Sequence, residues 1–250
     1  MSADQNRIQS PVPARRIIVA IDGPAGAGKS TIARELARHF GLLNLETGAM
    51  YRAFALKALR AGLPLDESSG LEGLTAETTI RLEPGEEENR VVLDGEDVTG
   101  LIRNPTVTEA ASRVSVFPAI RAWMVRLQQQ LGAKRGVVME GRDIGTVVFP
   151  NAEVKIFLDA APEVRGQRRY EQLGQLGQSG RRGSPPPPPP EEIVRDLRAR
   201  DARDRNRADS PLKPAPDSVL LDSTNLTLEQ AVSEAVKIVD EKLGAAGLSR

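Results

Sequence analysis

Among its 250 residues the sequence has no cysteine, one histidine (His39) and only 3% aromatic residues. Without cysteine there are no disulfides, no thiolate nucleophile and no cysteine-ligated zinc or iron–sulfur centre. A lone histidine argues against a His-rich metal site or a Ser-His-Asp hydrolase; His39 falls late in a predicted helix, where a surface position near the C-terminus suits it. Net charge is also missing: Lys and Arg total 34, as do Asp and Glu. No broad electrostatic field therefore serves nucleic acid or an anionic membrane, and few aromatic platforms exist for stacking bases. No run reaches the ~18 apolar residues of a membrane helix, and the first 14 residues hold no apolar signal segment. A soluble cytoplasmic chain is expected, whose chemistry rests on Asp, Glu, Lys and Arg.

What is present alternates. Short β-branched runs at Ile17–Ile21, Val137–Met139, Val154–Leu158 and Val219–Leu221, with a weaker one at Leu42–Leu45, are separated by helical stretches such as Thr31–Phe40 and Leu228–Leu243. Strands that apolar along their whole length are buried on both faces, so the pattern predicts an open α/β domain with a parallel sheet over residues 15–250. Residues 1–14, polar and proline-bearing, read as a disordered arm. Two insertions break the rhythm. In 63–103, TTIRLE and RVVLDGEDV flank the turn-like PGEEEN, which predicts a small antiparallel β module. In 174–190, four glycines, two arginines and six consecutive prolines (Pro185–Pro190) predict a mobile or semi-rigid loop.

Residues 23–31 read GPAGAGKST, a full match to G-x-x-x-x-G-K-[ST] directly after a strand and directly before a helix. Backbone N–H groups of Gly23, Ala25, Gly26, Ala27 and Gly28 cradle a polyphosphate in such a loop, which also contains Pro24, a residue without an N–H. Lys29 reaches the β and γ phosphates, Ser30 holds magnesium through its hydroxyl, and Thr31 continues into the helix. ATP or GTP binding follows from the residues alone.

The acceptor has to be read elsewhere. Arginine outnumbers lysine 27 to 7, and eleven arginines against six acids fall between Arg165 and Arg207. Guanidinium groups clamp phosphate oxygens bidentately and stay charged, as transfer between two phosphorylated molecules requires. In RARDARDRNR, Arg200, Asp204 and Arg207 at i, i+4 and i+7 put two guanidiniums around one carboxylate on a helix face, suited to a phosphate and a ribose. In EGRDIG, Arg142 and Asp143 follow a strand and so fall at the carboxyl edge where open α/β sheets bind ligands, although Asp143 or Glu140 at that place also suits a helix cap.

Together GPAGAGKST, ETGAMYR, AASRVSVFPAIR, EGRDIGTVVFPNAEVKIFLDA and RDARDRNRADSPL make the chain resemble the bacterial cytidylate kinases from Ile17 to Leu243. That resemblance implies the P-loop nucleoside monophosphate kinase fold: a five-stranded parallel sheet flanked by helices, a β-rich NMP-binding insertion at 63–103 and a mobile lid at 163–198. It implies a monomeric phosphotransferase, needing no other partner than ATP with Mg2+ and CMP or dCMP, that makes CDP or dCDP plus ADP in pyrimidine nucleotide metabolism. By the same resemblance Ser112, Arg121 and Asp143 read cytosine, Arg52, Arg142 and Arg207 hold the acceptor phosphate, and Arg200 and Asp204 hold the sugar. Thr47 and Tyr51 shape that pocket, and Arg165, Arg168 and Arg169 of the lid are candidates, with Lys29 and Arg142, for stabilising the moving phosphoryl group. Two positions depart from the family pattern, Glu46 and Glu140, each standing where Asp occurs, and the six lid prolines are unusual. Competing readings are a P-loop kinase acting on UMP or shikimate and a GTP-driven switch, for which the sequence has no N-K-x-D signature.

Overall fold

The computed structural model describes residues 17–83, 85, 89–133, 136–179 and 188–248. The expected N-terminal arm, most of the PGEEEN turn and half of the proline run lie outside the described residues. In chain order the strands are β1 (Ile18–Asp22), β2 (Leu43–Glu46), β3 (Ile80–Glu83), β4 (Arg90–Leu93), β5 (Glu96–Asp97), β6 (Val137–Gly141), β7 (Val154–Asp159) and β8 (Val219–Asp222). The α-helices are α1 (Lys29–Phe40), α2 (Thr47–Arg60), α3 (Ser68–Ala76), α4 (Pro105–Val114), α5 (Pro118–Gly132), α6 (Pro162–Ser179), α7 (Pro190–Arg205) and α8 (Leu228–Ala245).

Five strands form one parallel sheet in the order β2-β6-β1-β7-β8. Side-chain alternation splits its apolar residues between two cores. Ala20, Leu45 and Met139 face α2, α4 and α5 through Met50, Phe54, Ile120 and Met124, whereas Val19, Ile21, Val138 and Leu158 face α1 and α8 through Ile32, Leu36, Ala235 and Val239. Helices on both faces explain why the central strands are apolar throughout: every residue of β6 is buried. Burying a side chain such as Phe54 or Met124 completely is worth about 1.5–3 kcal/mol, so the two cores hold the sheet's carboxyl edge rigid.

The register aligns that edge. Ile21 and Asp22 of β1 lie beside Glu140 and Gly141 of β6, and Glu46 of β2 lies beside Glu140 on the other side. Glu46 and Glu140 thus neighbour each other where α2 begins, while Asp22, one residue out of step with Glu140, points to the other face of the sheet.

β3, β4 and β5 form a separate antiparallel sheet in which Ile80 pairs with Leu93 and Leu82 with Val91, their side chains buried in the α2 core. Ser68–Ala76, in the stretch read as a β module, is a helix. Gly70 and Gly73 lower its helix propensity, and burial of Leu71 with Leu74 packed against the same core supplies what propensity does not. A second local feature with no signal in the sequence is the single wide turn Ile144–Val148, closed by Phe149 N–H donating to Ile144 O at 2.7 Å.

Candidate active site

β1 ends in Asp22 and the chain turns through Gly23–Gly28 into α1. Gly23 has φ of 150°, and a Cβ there would stand 1.9 Å from the carbonyl oxygen of Leu158 in the neighbouring strand. Gly28 has φ of 96° and is the residue from which α1 starts. No side chain caps α1 and no acidic residue occupies its first turn, so its unpaired N–H groups and partial positive charge are open to an anion. Gly23→Ala forces a backbone clash and is expected to destabilise the fold by about 3 kcal/mol, read as a lowered denaturation midpoint in urea.

Lys29 is buried, donates to Pro24 O at 2.7 Å and lies 4.0 Å from Glu140 Oε2. Burial, with the Arg142 cation nearby, pulls its ammonium down to about 7. A polyphosphate bound beside it would offset both effects by adding negative charge. Ser30 is exposed and donates to Glu140 Oε1 at 3.0 Å, while Thr47 donates to the Glu140 backbone oxygen at 2.8 Å. Glu140 therefore joins the first turns of α1 and α2.

Asp22 accepts the backbone N–H groups of Ile144 and Gly145, each at 2.7 Å. Burial nevertheless pushes its carboxyl up to about 7, against the pull of those two bonds. An acid whose folded value lies above its unfolded 3.8 favours the fold most when protonated in both states. Its contribution is complete below about pH 4 and is lost as pH rises to about 7. Relative to Asp22→Asn, the wild type should lose stability across that window by about 4 kcal/mol at most, measured by chemical denaturation at a series of pH values. A constant difference between the two proteins would refute this.

The turn held by Asp22 follows Arg142 and Asp143. Asp143 pairs with Arg121 of α5, and both are buried. Arg142 Nε donates to Asp204 Oδ2 of α7 at 2.9 Å, and Arg207 Nη2 stands 3.8 Å from the other oxygen of Asp204. Arg200 lies in the same electrostatic environment as Arg142, Asp204 and Arg52, and burial with those neighbouring cations lowers it to about 10. Arg52 donates to Glu46 Oε1 at 2.6 Å, and Arg169 is lowered by burial and then by Arg52. Tyr51 lies near Arg121, Asp143, Arg207 and Asp204. Ser112, near the end of α4, is buried, and across the α4–α5 junction Arg121 Nη1 donates to Ser115 O at 3.3 Å.

Three buried guanidinium nitrogens in this cleft, Arg121 Nε, Arg200 Nε and Arg207 Nη2, have no hydrogen-bond partner. A buried donor without an acceptor costs about 1–3 kcal/mol, and a bound anion or carbonyl relieves it. Lys29 feels both Arg142 and Arg200, which places the phosphate loop and the arginine cleft side by side.

The three arginines of α6 part company. Arg169 is turned toward the side of Arg52 and donates to Gln172 Oε1 at 2.6 Å. Arg168 donates to Ser223 Oγ at 3.1 Å and to Ser223 O at 2.8 Å, tying α6 to the turn before α8. Arg165 is 2% exposed, with its guanidinium bonded to Ala160 O, Ala25 O and Asp201. Three carboxylates of this region were not among the residues singled out for the site from sequence: Asp22, Asp201 and Glu140, the last noted as a departure and as a cap. Asp22, directly before the glycine-rich loop, and Glu140, in EGRDIG, have a sequence signal; Asp201 has none of its own.

Residues 19–241 match the family model described as cytidylate kinase. The cytidylate kinase of Pasteurella multocida is 43% identical over 228 residues, covering 91% of this chain and 97% of the relative. That of Solibacter usitatus is 47% identical over 229 residues, covering 92% and 94%, and that of Pelotomaculum thermopropionicum is 48% identical over 219 residues, covering 87% and 93%.

Proposed function

The chain belongs to the cytidylate kinase family, a phosphotransferase family that moves the γ-phosphoryl group of ATP to CMP or dCMP, and from that premise we propose how its residues divide the work. ATP lies with its β and γ phosphates in the Gly23–Thr31 loop, against Lys29 and the N-terminus of α1. The acceptor nucleotide occupies the arginine cleft. Its phosphate sits among Arg52, Arg142 and Arg207, its sugar against Arg200 and Asp204, and its base against Ser112, Arg121 and Asp143, with Thr47 and Tyr51 alongside. The observation that carries this reading is the set of buried guanidinium nitrogens of Arg121, Arg200 and Arg207 that lack a hydrogen-bond acceptor.

The donor pattern selects the base. A carboxylate at Asp143 accepts from an exocyclic amine, and Arg121 and Ser112 donate to a ring carbonyl, a combination cytosine satisfies and uracil, lacking the amine, does not. The attacking oxygen belongs to a phosphate already anionic near neutral pH, so no general base is required and a chain with one histidine is not handicapped. Catalysis is positioning in line together with Lys29 and the cleft arginines facing charge that spreads over the transferred group.

Magnesium fits the donors present. Ser30 Oγ and the Glu140 carboxylate lie 3.0 Å apart, hard oxygen ligands of the kind the ion takes. Among the described residues no cluster of three or more His, Asp or Glu forms a cage. One or two protein oxygens plus substrate phosphates is a normal way to bind this ion. When bound there, it would neutralise phosphate charge and orient the β and γ groups.

The test is ADP formation from ATP and magnesium with CMP, dCMP, UMP, AMP, shikimate or no acceptor. CMP and dCMP should stimulate turnover far above the rest. A better response to UMP would remove the role given to Asp143, and a better response to shikimate would remove the nucleotide reading of the cleft.

A further inference from the structure

We infer that Arg165 and Asp201 form a buried strut that positions the phosphate loop against α7, making Arg165 a positioning residue for the donor site and not a charge on the moving phosphoryl group. All three guanidinium nitrogens have protein partners. Nε donates to Ala160 O at 2.8 Å, Nη1 to Ala25 O at 3.0 Å, and Nη2 pairs with Asp201 Oδ2 at 2.7 Å. One side chain from α6 therefore grips the end of β7, the phosphate loop and α7 together.

Packing at the same place has the same direction. Ala25 of the loop is buried against Ile193 and Leu197 of α7, backed by Tyr170 and Leu173 of α6. The next loop residue, Gly26, lies so close that a Cβ would stand 3.3 Å from both Cβ and O of Arg165. The loop is thus seated on a small apolar cluster with a buried ion pair beside it. Asp201 lies between Arg200 and Asp204 on α7. A helix turns about 100° per residue, so Arg200 and Asp204 serve the arginine cleft while Asp201 points to Arg165. Through this one helix a displacement of the phosphate loop is felt by the acceptor residues, and the reverse.

A buried pair of this kind is costly to break from one side, because the survivor is left charged and uncompensated, but removing both partners is much better tolerated. That asymmetry separates a strut from a catalytic cation. The experiment is a double-mutant cycle with Arg165→Met, Asp201→Leu and the double variant in the full chain. It is read by the dissociation constant of ADP, by KM for ATP and CMP, and by kcat. Each single variant should weaken ADP binding and raise KM for CMP by about tenfold, and the double variant should be no worse than either single one. Arg165→Lys, which keeps a cation opposite Asp201 while losing the forked contacts, should fall between wild type and Arg165→Met. This gentler variant, with Asp201→Asn, gives the same comparison if the apolar ones do not fold.

Three results would overturn the strut: a loss confined to kcat in the Arg165 variants with Asp201 variants at wild-type level, additive losses in the double variant, or no change in ADP binding. The acceptor half of the inference rests on the proposed reading of the cleft. ADP binding does not, so a failure of that reading would appear as wild-type indifference to CMP while the ADP cycle still reports on the strut.

Discussion

Lys29→Met should lower kcat by about a thousandfold, the upper range for loss of one group aimed at transition-state charge. Lys29 is held at the loop by Pro24 O and lies 4.0 Å from Glu140, so its ammonium would exchange the Pro24 oxygen for phosphate oxygens when nucleotide binds. Charge grows on the phosphate oxygens as the γ group detaches, and the attraction to Lys29 grows with it. The effect should therefore fall on kcat more than on KM for ATP, measured by steady-state ADP formation beside direct ADP binding. Arginine is not a conservative replacement there, because a planar fork does not fit the place of a compact ammonium. A variant whose loss lay wholly in KM would show that Lys29 binds ATP without favouring the transition state.

Asp143→Asn is expected to cost more than a thousandfold in kcat/KM for CMP. Sites that hydrogen-bond a polar substrate group discriminate by about 10⁴–10⁵ when that complementarity is spoiled. The amide presents a donor where a carboxylate accepts, and it leaves Arg121 buried beside a neutral partner. Breaking a buried pair by removing one charge destabilises by about 3–5 kcal/mol, so a lowered Tm should accompany the kinetic loss. Dissociation of ADP should be unchanged, since the phosphate loop is built from other residues. If ADP binding fell in parallel, Asp143 would be acting on the whole sheet edge. If CMP turnover persisted, another group would be reading the base.

These two residues also mark how far local sequence reaches. Lys29 was legible because nine consecutive residues carry the motif, and the glycines at 23 and 28 adopt backbone angles that favour glycine. The sheet was legible for the same reason: β-branched apolar runs have few alternatives to parallel strands, although the edge strand β8, read as buried on both faces, leaves Leu220 exposed. Along α7, spacing puts Arg200 and Asp204 on one face, but the helix ends at Arg205, so Arg207 meets Asp204 from the chain beyond it and not from the expected i+7 position on the same face. Spacing did not say that Asp204 takes Arg142, 62 residues away, or that Asp201 takes Arg165. For Arg165 and Arg168, arginine content pointed to phosphate, whereas their guanidiniums bond to carbonyls and a carboxylate of the protein. A guanidinium's partner is decided by which oxygens packing brings within reach, and nothing within a few residues records that.

Composition and periodicity by themselves determined the open α/β architecture, the phosphate loop and its lysine, and a concentration of arginine in the last third of the chain, all read from backbone preferences and residue content over short spans. The tertiary structure alone decided the helix at Ser68–Ala76, the hold of Asp22 on the turn after Asp143, the junction of Ser30 with Glu140 110 residues later, and the burial of Arg165 beneath the loop. The physical reason is common to all four. A helix of weak propensity, a buried carboxylate and a buried guanidinium are each unfavourable alone, and only partners delivered by distant segments make them stable.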